Sequence, residues 1–99
     1  MTAKFVQLLK GSGVKKYKAV FFDAMRKKLK SVSFGAVGYD SYPDHQDLQR
    51  KMNYLSRHSN EDWTEPMTPA SLSRWILWEK PTLSSAYKAY RQRFNLQLY

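Results

Sequence analysis

At 99 residues, 42% hydrophobic and 15% aromatic, the chain is sized for one domain with a modest core and is too apolar for a disordered tail. It has no cysteine, so disulfides and thiolate metal sites are excluded, and a reducing compartment suits it. The formal net charge is +9, no run reaches the about eighteen apolar residues of a membrane span, and Met1–Phe5 has neither the apolar stretch nor the cleavage site of a secretory leader.

Thr2 to Leu9 reads as a first strand, with Phe5, Gln7 and Leu9 on one face and Val6 and Leu8 on the other. Gly11-Ser12-Gly13 ends it in a turn. Tyr17 to Phe22 is a second strand, where Tyr17, Ala19 and Phe21 alternate with Lys18, Val20 and Phe22. Asp23 to Lys28 reads as a hairpin loop, and Leu29 to Phe34 as a third strand. Gly35, Gly38 and Pro43 then break the chain, and the period changes from two to about 3.6.

Asp44 to His58 reads as an amphipathic helix with a stripe of Leu48, Met52 and Leu55. Thr68-Pro69 is an N-cap followed by proline at the first helical position, opening a second helix that buries Leu72, Trp75 and Ile76 and stops before Pro81. Thr82 caps a third, lined by Leu83, Ala86, Tyr87, Tyr90 and Phe94. The expected fold is α+β: a single domain over residues 1–99, made of a three-stranded antiparallel meander (1–38) followed by three α-helices packed on one face (39–99).

The spread of charge is more informative than its total. Residues 1–38 hold nine Lys/Arg against the single acid Asp23, a net +8, while residues 39–99 hold eight against seven, a net +1. Segregation of this kind makes a directional field that concentrates anions on one side. Lysines also guard exposed sheet edges from pairing, which is the plainer use of such residues. Lys15, Lys16 and Lys18 flank the start of the second strand, and Arg26, Lys27, Lys28 and Lys30 flank the hairpin into the third. In a meander these clusters fall at opposite ends, about 20 Å apart at the strand rise, so both could reach phosphates along one nucleic-acid face. Most of them are lysines, point charges that favour phosphate contact over base reading. Tyr17, among them, is either a stacking platform for a base or a sheet-packing aromatic.

Signals for catalysis are missing. Gly11-Ser12-Gly13 before Val14-Lys15-Lys16 lacks the spacing of a phosphate loop, and His45 and His58 have no partner at zinc-ligand spacing. Asp44, His45 and Asp47 at a helix start read as capping and dipole partners. We therefore expect no enzyme, no catalytic or metal site and no cofactor. Among the aromatics of the last third, Trp75, Tyr87, Tyr90 and Phe94 read as core, while Trp78, with Arg74 beside it, reads either as core, where large aromatics of small domains usually pack, or as an anchor for a protein partner.

The stretch Arg57 to Trp63, then Pro66-Met67-Thr68 and the tryptophan-rich run from Leu72 to Leu83, resembles a family of small uncharacterised basic proteins encoded by nucleocytoplasmic large DNA viruses, the giant viruses. The resemblance runs over roughly residues 15–95, through Lys16-Tyr17, Val20-Phe21-Phe22, Val32 to Gly35 and Tyr39 to Asp47 upstream, and Tyr90 and Arg93-Phe94 downstream. It implies a virus-encoded protein, packaged in the particle or acting in the infected cell's nucleus or cytoplasmic viral factory. It carries over no catalytic residues. It also implies a structural corner in which Asn60 caps a short turn and Trp63 plugs the helix junction, with Arg57 and His58 as secondary phosphate contacts. The expected function is an accessory protein binding nucleic acid, DNA more than RNA, without sequence preference and with no role for a membrane. The alternatives are an interaction module for a host or viral protein and a minor capsid or scaffold component.

Overall fold

β-branched and aromatic residues alternate with polar ones through the first third, and this period of two is realised as three consecutive strands. The computed structural model describes residues 2–99. In it β1 is Phe5–Lys10, β2 is Tyr17–Phe22 and β3 is Lys28–Phe34. They form an antiparallel meander in which Leu8 lies opposite Ala19, and Ala19 opposite Val32. These registers place Val6, Leu8, Tyr17, Ala19, Phe21, Val32 and Phe34 on one face, in the main core or packed against it. Phe5, Gln7, Leu9, Lys18, Val20, Phe22, Ser31 and Ser33 share the opposite, outer face.

The β1–β2 turn is closed by the Gly11 N–H, which donates to the Lys16 carbonyl at 3.0 Å. The β2–β3 turn is built on Asp23, which is buried. Its carboxylate accepts from the amides of Met25 and Lys27, both at 2.9 Å, and Arg26 takes the left-handed conformation at φ 64°. This use of a short acidic side chain to close a local turn is ordinary Asx chemistry.

Two features enlarge the expected sheet and divide the expected helices. After the last long helix, Asn95 turns the chain at φ 55°, and Gln97–Leu98 pairs parallel to Phe5–Val6 as β4. The sheet is therefore four-stranded and mixed, ordered β3-β2-β1-β4, because the chain returns to the free edge of β1. The helix expected over Asp44–His58 is two helices, α1 at Tyr42–His45 and α2 at Leu48–Arg57. Gln46 sits between them at φ 53°, and the Asp47 carboxylate restarts the helix by accepting from the amides of Gln49 and Arg50 at 2.9 and 3.3 Å.

The remaining caps form where the sequence puts them. Thr68 accepts from the Ser71 amide at 3.2 Å and opens α3 (Pro69–Leu72), and Thr82 accepts from the Ser85 amide at 3.3 Å and opens α4 (Leu83–Arg93). α3 continues as a π-helical turn over Ser73–Leu77. The wider i to i+5 repeat brings Leu77 onto the face of Leu72, and both are buried beside Ile76. This segment and α4 cover the inner sheet face, with Tyr90 and Leu96 completing the core.

α2 departs from the expected packing on the sheet. The main core among the described residues takes no side chain from it. Two of the three stripe residues also face outward, Leu48 61% and Met52 54% exposed, Leu55 is half-buried, and the buried residue of the helix is Tyr54. The reason is an aromatic partner from elsewhere in the chain, described below.

Candidate nucleic-acid interface

The meander separates the basic side chains into two groups, as its topology requires. Lys15, Lys16 and Lys18 lie at the end of the sheet that holds the β1–β2 turn, joined there by Lys10. Arg26, Lys27, Lys28 and Lys30 lie at the other end, around the β2–β3 turn. Lys16 is committed elsewhere: its Nζ donates to the Asp44 carboxylate at 2.8 Å and to the Tyr39 carbonyl at 3.2 Å. Among the described residues, Lys15, Lys18, Arg26, Lys27, Lys28 and Lys30 form no ion pair. All but the half-buried Lys18 are exposed. Asp23, the one acid of this half, is consumed by its own turn.

Between the two groups lies the outer face of the sheet. Phe5, Val20 and Phe22 form a second, small apolar cluster there to which no helical residue belongs. Two side chains cover it. The ring of Tyr99, just after β4, stacks on Phe22 with centroids 3.6 Å apart and planes 16° apart. The Arg26 guanidinium lies 4.3 Å from the Phe5 ring centre and 5.5 Å from that of Tyr99. No strand of the sheet contains an acidic residue. The sequence does not single out Phe22 or Tyr99 as functional; the alternation places Phe22 on a face shared with Lys18 and Val20, but nothing local places Tyr99 there.

A cleft of about 970 Å³ opens at the β1–β2 end, between the β3 exit, α2 and α3. Lys15, Lys16, Arg50, Arg57 and His58 line it, opposed by Asp40 and Glu61. One wall is a pile of aromatic rings: His58 stacks on Tyr54 at 4.3 Å, Tyr54 lies flat on Trp78 at 4.5 Å and 7°, and His45 leans on Trp78 at 5.4 Å. Burial, reinforced by the nearby Glu61 carboxylate, pushes the Tyr54 hydroxyl up to about 12, so it stays neutral. Asp44 is held down to about 2, chiefly by the Lys16 hydrogen bond and then by the Ser41 amide.

Several expected roles move once these contacts are seen. Trp78, the candidate partner anchor, is half-buried against Tyr54 and His45 and packs on the main core, the commoner place for a large aromatic. Arg74 bonds Glu79 at 2.8 Å and lies 4.1 Å from the Trp75 ring centre, with its side chain only 11% exposed. Both therefore hold the fold together. Tyr17 is on the inner face against Phe34, 5.8 Å between centroids, which removes it as a base-stacking platform. At the corner after α2 the bonded carboxylate is that of Asp62, which accepts from the Thr64 amide at 2.9 Å, rather than the side chain of Asn60. Trp63 does sit at the junction: its Nε1 donates to Glu61 at 3.3 Å, and its carbonyl accepts from Trp75 Nε1 at 2.9 Å.

Among the described residues, no group of three or more His, Cys, Asp or Glu side chains is placed to hold a metal ion. No described helix is long and apolar enough to cross a membrane. Residues 9–58, half of the chain, match the model of a "Family of unknown function (DUF5754)", and the chain belongs to that family. No curated protein and no solved structure matches it. The matched segment runs from the end of β1 through α2, so it holds both basic groups and much of the cleft, while α3 and the tryptophan-bearing π-helical turn after it lie outside it.

Proposed function

We propose that this protein binds nucleic acid through its basic β half, by phosphate contacts and largely without sequence preference, in a binding rather than a catalytic role. The observation that carries the reading is the unspent charge: six of the seven cationic residues singled out in the sequence pair with no acid among the described residues. What sets these residues apart is their segregation: residues 1–38 hold a single acid, Asp23, which is spent on its own turn, and a one-sided field of this kind is suited to a polyanion. The resemblance of the Leu72–Leu83 run to giant-virus proteins supports DNA over RNA as the ligand, in the virion or the infected cell. Titration of duplex and single strands between about 50 and 200 mM salt tests it. A protein neutralising several phosphates should lose orders of magnitude in affinity across that range. Absence of salt-dependent binding at the low end would refute the proposal.

A second reading has its own observation. The exposed Leu48 and Met52 make a short apolar stripe on α2, which favours contact with a protein through that helix rather than through Trp78.

A further inference from the structure

We infer that the outer sheet face is a platform for a single strand, on which a base stacks against Tyr99. The inference rests on the nucleic-acid reading above and narrows it to one kind of strand and one stacking residue. Most of the molecule's large aromatics are committed to the core or to the Tyr54–Trp78 pile; Tyr99 differs. One face of its ring is held flat on Phe22 at 3.6 Å, yet the residue remains 48% exposed. An aromatic ring fixed on one face and still half exposed is the element that stacks unpaired bases, because every base has a π face to offer. Such stacking needs a splayed base, which a duplex keeps inside its own stack.

The surroundings fit the same occupant. The Arg26 guanidinium lies over the Tyr99 ring, 5.5 Å from its centre, and carries a charge that no acid among the described residues pairs with. Lys28 and Lys18 bracket the face at its two ends. Gln7, Ser31 and Ser33, all exposed on that face between them, supply donors and acceptors for base edges. A strand crossing from Lys28 to Lys18 would thus meet cations at both ends and an open ring at its start. No strand carries an acidic side chain that would repel a phosphate backbone.

The test compares labelled twelve-nucleotide single strands of DNA and of RNA with a duplex of the same length, by fluorescence anisotropy at about 50 mM salt. Base stacking on one aromatic is worth roughly 1–3 kcal/mol, so Tyr99→Ala should weaken single-strand binding about 5- to 150-fold and leave duplex binding within about twofold. Tyr99→Phe keeps the ring and should bind like the original. Tyr99→Leu keeps an apolar cover over Phe22 without a ring, so its loss of single-strand affinity separates stacking from any disturbance of the fold. Equal effects on single strand and duplex, or no effect of Tyr99→Ala and Tyr99→Leu, would overturn the inference while sparing the broader reading. Absence of binding to every nucleic acid would overturn both.

Discussion

Lys16 and Asp44 join the basic half to the helical half. Their 2.8 Å contact, with the Ser41 amide also donating to Asp44 at 2.8 Å, lowers the carboxyl from its usual 3.8 to about 2. Because the folded value lies below the unfolded one, the stabilisation is complete above about pH 4 and is lost as the pH falls through about 2. Asp44 is 42% exposed on its side chain, so screening limits the pair to about 0–1 kcal/mol. Asp44→Asn should therefore unfold at a lower urea concentration than the original near pH 6, and the gap should close as the pH is taken from 4 towards 2. Gly35 serves the same junction. At φ 76° it brings the chain so near Lys16 that an added Cβ would lie 3.0 Å from the lysine's own. Of these residues the sequence exposed Gly35 as a breaker and Lys16 as a cation. The pairing with Asp44, 28 residues on, has no local signature.

At the scale of elements, what could be read was local. Three strands, two hairpin turns and the caps Thr68 and Thr82 follow from neighbours within a few residues, and they stand where the pattern puts them. The facing of α2 is not legible locally, because its burial is decided by Trp78, 24 residues beyond Tyr54, rather than by its own leucine stripe. β4 was missed for a related reason: two residues hold no period, and its partner is β1, at the other end of the chain. The aromatic pile has a measurable consequence. Removing a buried tryptophan typically costs about 3–5 kcal/mol, and Trp78 is only half-buried, so Trp78→Ala should lose about 2 kcal/mol of stability in urea unfolding. A variant as stable as the original would return Trp78 to the surface as an anchor.

For the molecule as a whole, the two halves divide the labour of charge and packing. The β half carries a net +8 and an outer face that no helix covers, while the helical half, at +1, seals the inner face with Leu72, Ile76 and Tyr90. The charge asymmetry was legible from the sequence; the platform between the basic groups was not, since it depends on Tyr99 crossing to Phe22 over β1. The central claim is that the unpaired cations are phosphate contacts. It is tested most directly by the salt dependence of nucleic-acid affinity for the original chain and for a Lys27→Gln, Lys28→Gln, Lys30→Gln variant. These three side chains make no hydrogen bond or ion pair among the described residues, and the turn they surround is held by Asp23 and backbone amides, so the fold should keep its thermal midpoint. Each lost phosphate contact should make the slope of log affinity against log salt shallower by about one, roughly three in all. An unchanged slope and affinity in the folded variant would contradict the account.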